Sequence, residues 1–135
     1  MWKPKFFDII FYFLIKYIIF FAILAFIGNR FKSIVIDSSD NKSELLSNFL
    51  YYSLYPTIIV GLFTLVFSIA LFLLMKMSRG LYFLLMYLLL LTVEYLLYTY
   101  LASPSDLMNG FYNMMIGVLL LLVFFYKYLK ILISK

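Results

Sequence analysis

Four long apolar blocks, separated by short polar segments, constrain this chain more than any other feature of its sequence. The blocks cover roughly residues 6–28, 49–75, 81–101 and 107–126. A helix needs about 20 apolar residues to cross the hydrocarbon core of a bilayer, and each block has that length. Only 13% of the 135 residues are charged, about half the charged fraction of a soluble domain. The sequence therefore predicts an all-α membrane bundle of four transmembrane helices, forming a single domain.

The second block is longer than one crossing requires, and Pro56 allows two interpretations. Proline fits the first turn of a helix and disrupts a helix interior, so the span proper is expected to cover residues 56–75. Residues 44–54 then form a short helix in the outer interface. The alternative is a single long helix with a kink at the proline. Residues 29–48 are expected to be an outer linker in which Asp40 or Ser43 caps a helix.

Loop charges predict the orientation of the chain. With the N-terminus inside, seven basic residues lie on the cytoplasmic side: Lys3, Lys5, Lys76, Arg79, Lys127, Lys130 and Lys135. The outer side then holds Arg30, Lys32 and Lys42, together with the acidic residues Asp37, Asp40, Glu44 and Asp106. The positive-inside rule favours this arrangement. We expect both termini in the cytoplasm and the protein in the cytoplasmic (inner) membrane. The third span is expected to end before Pro104, since the residue preceding a proline is pushed out of helical geometry.

Two charged residues lie within the predicted spans. Lys16 is roughly 15 Å and Glu94 roughly 20 Å from the cytoplasmic side, at 1.5 Å per residue. A charge at the bilayer centre costs at least about 2.5–3.5 kcal/mol on insertion scales, and two opposite charges at similar depth can offset that cost by pairing. One interpretation is a pore-lining or ion-coupling pair. The other is a structural ion pair that fixes how the first and third helices dock.

Polar residues at helical spacing accompany both charges. Asp8 and Tyr12 share a face with Lys16, and Tyr87 and Tyr98 share a face with Glu94, because residues three, four or seven positions apart lie together on a helix. These tyrosines are expected either to donate hydrogen bonds to Glu94 and line a narrow wet cavity, or to fill volume.

Small and hydroxyl residues form a stripe on the second helix. Its members are Thr57, Gly61, Thr64 and Ser68, and Asn113 and Gly117 make a shorter stripe on the fourth helix. Small residues at this spacing allow a neighbouring helix to approach closely. Hydroxyl groups would equally suit a pore wall, since they can replace water around an ion.

The residue types that the chain lacks exclude several functions. It has no cysteine and no histidine, which removes thiol catalysis, disulfides and the usual zinc sites. It has no phosphate-binding loop, no nucleophile–base pair and no cluster typical of metal ligands. Its basic residues are scattered rather than gathered into a nucleic-acid-binding patch. We therefore expect neither an enzyme nor a cofactor, metal or nucleic-acid partner.

Two functions fit this pattern. The first is a small homo-oligomeric channel or pore subunit that passes ions across the cytoplasmic membrane, for example as a toxin-like or defence effector. The alternative is a non-enzymatic interaction protein that contacts other membrane proteins within the lipid bilayer. It would be an immunity protein against pore-forming bacteriocins, a class similar in size, span number and aromatic richness, or an accessory subunit of a larger complex. The two mid-membrane charges favour the channel, because a scaffold can use leucine at both positions.

Overall fold

A computed structural model of the chain describes residues 3–102 and 107–134, and all regular elements in those two ranges are helical. The four α-helices are α1 (Phe6–Ala22), α2 (Lys42–Leu74), α3 (Gly80–Ala102) and α4 (Leu107–Ile133). Four helices are long and apolar enough to cross a membrane, the first of them being α1 together with the five residues that continue it to Ile27, which confirms the all-helical fold with four candidate spans. The predicted end of the third span at Pro104, and the charges of Asp106 and Lys135, lie outside the described residues.

Two π-helical turns connect α1 to α2. The first, Ile23–Ile27, continues α1 directly, and the second is Lys32–Ile36. Between them Asn29 adopts a positive φ of 56°, a left-handed conformation that asparagine tolerates because its short side chain bonds locally. The second π-helical turn packs against α2. Residues 29–48, which the sequence assigned to a linker, are therefore largely helical.

Helix α2 runs unbroken through Pro56 for 33 residues, or about 50 Å at 1.5 Å per residue. Of the two interpretations of this block, the structure has the single long helix. A proline removes one backbone hydrogen bond, and membrane helices tolerate that loss when neighbouring groups compensate. The cap is Asn41, whose side chain accepts from the Glu44 amide at 2.9 Å, and Glu44 in turn accepts from the Asp40 amide at 2.9 Å. The expectation that Asp40 or Ser43 caps the helix is wrong, because Asn41 is the capping residue and the helix starts at Lys42.

The four helices form a ring of neighbours. Helix α1 packs along α2 and α4, and α3 packs along the same two helices, so α1 and α3 face each other diagonally. Aromatic side chains fill much of the space between them. Phe13 approaches Phe67 with a ring-centroid distance of 6.4 Å, and Phe20 meets Tyr98 edge-on at 5.2 Å. Aromatic side chains therefore make up much of the core at these levels.

Helix α4 continues beyond residue 126, where the sequence placed the end of the fourth span. It reaches Ile133, with non-helical backbone angles at Phe125 (φ −117°, ψ 21°). Past this kink, the Tyr128 hydroxyl donates to the carbonyl of Met75, which ties the end of α4 to the end of α2. Lys127 and Lys130 lie on this extension and are exposed.

Candidate functional site

A buried ion pair occupies the interior of the bundle. The Lys16 ammonium of α1 contacts the Glu94 carboxylate of α3, and the two residues are only 0% and 1% exposed. Because α1 and α3 lie diagonally opposite each other, this ion pair crosses the centre of the bundle. The structure therefore brings together, within one subunit, the two charges that the sequence placed at similar depth.

Two further donors converge on the same Glu94 oxygen. The Tyr17 hydroxyl donates to Oε1 at 2.5 Å and the Asn113 amide donates to it at 3.3 Å. Helices α1 and α4 thus both contribute hydrogen bonds to one carboxylate of α3. Charge-assisted hydrogen bonds of this kind are about twice as strong as neutral ones, and they offset part of the cost of removing a carboxylate from water.

Gly117 of α4 makes room for the lysine. A Cβ atom at this position would lie 2.8 Å from Lys16 Cε and 2.9 Å from Nζ, closer than side-chain carbons approach one another. The Gly117 carbonyl also accepts a 2.6 Å hydrogen bond from Tyr12. The Lys16 ammonium lies 5.4 Å from the ring centroid of Phe13 and 5.2 Å from that of Tyr17, within the range of a cation–π contact. The lysine is thus enclosed by aromatic rings, a glycine and its carboxylate partner.

Tyr87, Tyr98 and Asp8, which the sequence placed on the same helix faces as the two charges, lie in three different surroundings. Tyr87 is buried near the Tyr12 hydroxyl, but its own hydroxyl makes no hydrogen bond of normal geometry within the described residues. Tyr98 is buried against Phe20. Asp8 is two turns from Lys16 and accepts from the Lys5 amide at 2.9 Å. Asp8 therefore caps α1 at the end of the bundle and does not belong to the charge site.

The stripe on α2 is divided between two environments. Thr64 and Ser68 face the core and are 6% and 0% exposed, whereas Thr57 and Gly61 face outward. A Cβ atom built on Gly61 would have no neighbour within 4 Å. The hydroxyl groups of Thr64 and Ser68 and the Asn113 Oδ1 atom are buried without a hydrogen-bond partner among the described residues.

Sequence reasoning missed Tyr17 as a donor to Glu94. Tyr17 lies on the buried face of α1 together with Ile9, Phe13 and Phe20, but almost every position of this helix is apolar or aromatic, so the pattern alone does not distinguish that face. Tyr17 follows Lys16 directly, so its ring lies on the edge of the face that carries the charge. In the described part of the chain there is no group of three or more His, Cys, Asp or Glu side chains that would hold a metal ion.

Comparison of the chain with protein-family models, with curated proteins and with solved structures finds no match.

Proposed function

We propose that the protein is a multi-pass protein of the cytoplasmic membrane with both termini inside. Support comes from the four long apolar helices and from aliphatic and aromatic side chains on their outward faces. The excess of lysine and arginine at the end of the bundle that holds both termini supports this orientation.

The orientation can be tested with reporters. Fusions before Met1 and after Lys135 should both read cytoplasmic, and a tag near Asp40 should be accessible from outside. Termini that report opposite sides would contradict the four-span topology.

Within the membrane, we propose that the protein is a non-enzymatic interaction protein that docks a transmembrane helix of a partner protein. The observation that carries this proposal is a pair of small residues, Thr57 and Gly61, on the outward face of α2. Gly61 has open space where a side chain would be, and Thr57 lies one turn before it with its hydroxyl bonded to the Ser53 carbonyl at 2.7 Å. Small residues four positions apart on a lipid-facing surface allow close helix–helix contact.

The charge site also supports a non-conducting role. Lys16 and Glu94 neutralise each other across the bundle, and Thr64 and Ser68 face the interior of one subunit rather than a surface between subunits. An oligomeric pore lined by these groups would have to open the bundle. A buried ion pair can instead serve to specify one packing arrangement, here the diagonal docking of α1 and α3.

The test compares two outward-facing substitutions. Gly61→Leu should abolish association in nanodiscs, measured by cross-linking and by size, with co-expressed membrane proteins from the host. Thr92→Leu is the matched control, because Thr92 is exposed on α3 and its hydroxyl bonds only to the Leu88 carbonyl within the described chain. If the species lost with Gly61→Leu is a dimer of this chain, the partner is a second copy. Equal association of the two variants would overturn the proposal.

A homo-oligomeric channel is the second candidate, and one observation favours it. The buried hydroxyls of Thr64 and Ser68 and the Asn113 carbonyl oxygen lack partners within the described residues, and water commonly satisfies such groups. A hydrated interior of this kind would ease ion dehydration if the bundle opened. Planar-bilayer recording separates the two functions. The interaction protein gives no current, whereas the channel gives a current that Glu94→Gln alters.

A further inference from the structure

A cavity of about 170 Å³ lies at the outer end of the bundle, between the end of α1, the second π-helical turn, α2 and α3. Its walls include the apolar side chains of Phe21, Leu24 and Pro56, and Arg30 also lines it. The cavity is partly open to the surface. Its volume is close to the roughly 150 Å³ of an engineered cavity that binds benzene, so it holds one small group and not a whole lipid.

The residues on either side of Arg30 bring its backbone next to α2. The left-handed Asn29 turns the backbone, and Phe31 then packs edge-on against Tyr52 of α2 at a centroid distance of 6.0 Å. The Arg30 guanidinium lies within electrostatic range of the Tyr52 phenol. Arg30 is half-buried, and within the described residues it forms no ion pair. An arginine without an ion-pair partner among the described residues therefore lines a cavity whose walls combine apolar side chains with tyrosines.

We propose that this cavity binds the phosphate-bearing headgroup of an anionic phospholipid from the outer leaflet. Guanidinium groups match phosphate oxygens with two parallel hydrogen bonds, and Tyr52 and Tyr55 lie where interfacial tyrosines meet headgroups. The apolar wall contacts the glycerol and the first methylene groups, while the acyl chains remain in the bilayer. This inference rests on the proposed insertion with the Arg30 end outside.

The experiment is native mass spectrometry of the full-length protein with added phosphatidylglycerol or phosphatidylcholine. The wild type should retain phosphatidylglycerol preferentially. Arg30→Gln should lower that retention about tenfold, the scale of one lost hydrogen-bonded charge contact, and Arg30→Lys should lower it less because the charge remains. Lys32→Gln is the matched control, because Lys32 is exposed and does not line the cavity. Leu24→Trp, which fills the cavity and keeps the guanidinium, should also lower retention.

Three outcomes would overturn the proposal. They are unchanged retention in Arg30→Gln, equal loss in Lys32→Gln, and displacement of the lipid by millimolar inorganic phosphate, which would indicate a small-anion site. Terminal reporters on the same variants read the topology independently. A preparation with both termini inside and no effect at Arg30 contradicts only the lipid site, whereas reversed termini contradict the membrane orientation itself.

Discussion

The middle of the bundle and the end where α1 connects to α2 differ in how they accommodate a basic side chain. In the middle, Lys16 is fully enclosed and meets a carboxylate that also accepts from Tyr17 and Asn113. At the end where α1 connects to α2, Arg30 is half-buried beside a cavity and has no acidic partner among the described residues. The Lys16 charge is neutralised inside the bundle by Glu94, whereas the Arg30 charge has no ion-pair partner among the described residues. Depth in the bundle thus separates a charge that is paired inside the protein from one that lines the proposed lipid site.

Gly117 and Gly61 also differ in whether they lie in the interior or on the surface of the bundle. Gly117 is in contact with Lys16, and any side chain there would collide with it, whereas Gly61 borders open space on the outward face of α2. Gly117 therefore leaves space for the Lys16 side chain in the interior, whereas Gly61 has space for a side chain on the surface. Substitutions of Lys16 and Arg30, and of the glycines at 117 and 61, therefore measure how far the interior and the surface of the bundle differ in their tolerance of change.

The largest effect is expected from Lys16→Met. It removes the ammonium and leaves the Glu94 carboxylate buried without its counter-charge, which costs about 3–5 kcal/mol of unfolding free energy. The double variant Lys16→Met/Glu94→Gln should recover part of the loss because no unpaired charge remains. Denaturant titration in mixed micelles measures both. Arg30→Gln should change stability by less than about 0.5 kcal/mol, and a cost equal to that of Lys16→Met would erase the contrast between the regions.

The second effect compares alanine at the two glycines. Gly117→Ala should destabilise the bundle by about 1–3 kcal/mol, since overpacking forces neighbouring groups to shift. Gly61→Ala should be neutral or stabilising by up to about 1 kcal/mol, because alanine is the better helix former and meets no neighbour. The same titration gives both values, and a similar cost at the two sites would show that Gly117 does not limit the space around Lys16.

The smallest effect is expected from Tyr12→Phe. It removes the 2.6 Å hydrogen bond to the Gly117 carbonyl and should cost about 1 kcal/mol. Tyr112→Phe is the control on the outward face of α4, where Tyr112 is 51% exposed, and it should leave the unfolding free energy unchanged. Indistinguishable variants would mean that the Tyr12 hydroxyl contributes nothing to the packing of α1 against α4.

The sequence predicted those features that depend on length and depth. Apolar blocks of spanning length gave the four helices, and counting the rise per residue placed Lys16 and Glu94 at one level. The division of the α2 stripe was not predictable, because an almost wholly apolar helix offers no contrast between its buried and lipid-facing sides. Asn41 caps α2 by accepting a hydrogen bond from the Glu44 amide. The sequence alone did not single it out, because Asp40 and Ser43 are also residue types that cap helices. Pro56 left two interpretations open, because proline fits the first turn of a helix and membrane helices also tolerate it within their length.

The diagonal pair also has a consequence for biosynthesis. Lys16 and Glu94 are 78 residues apart in the chain, so at roughly 5–20 residues per second the lysine emerges about 4–16 seconds before its partner. Under the proposed membrane insertion, the first helix carries an uncompensated cation throughout that interval, and the cation disfavours its release into lipid. Stable residence of α1 in the bilayer would then require the synthesis of α3. Nascent chains halted before residue 94 are expected to be the form most exposed to membrane quality control.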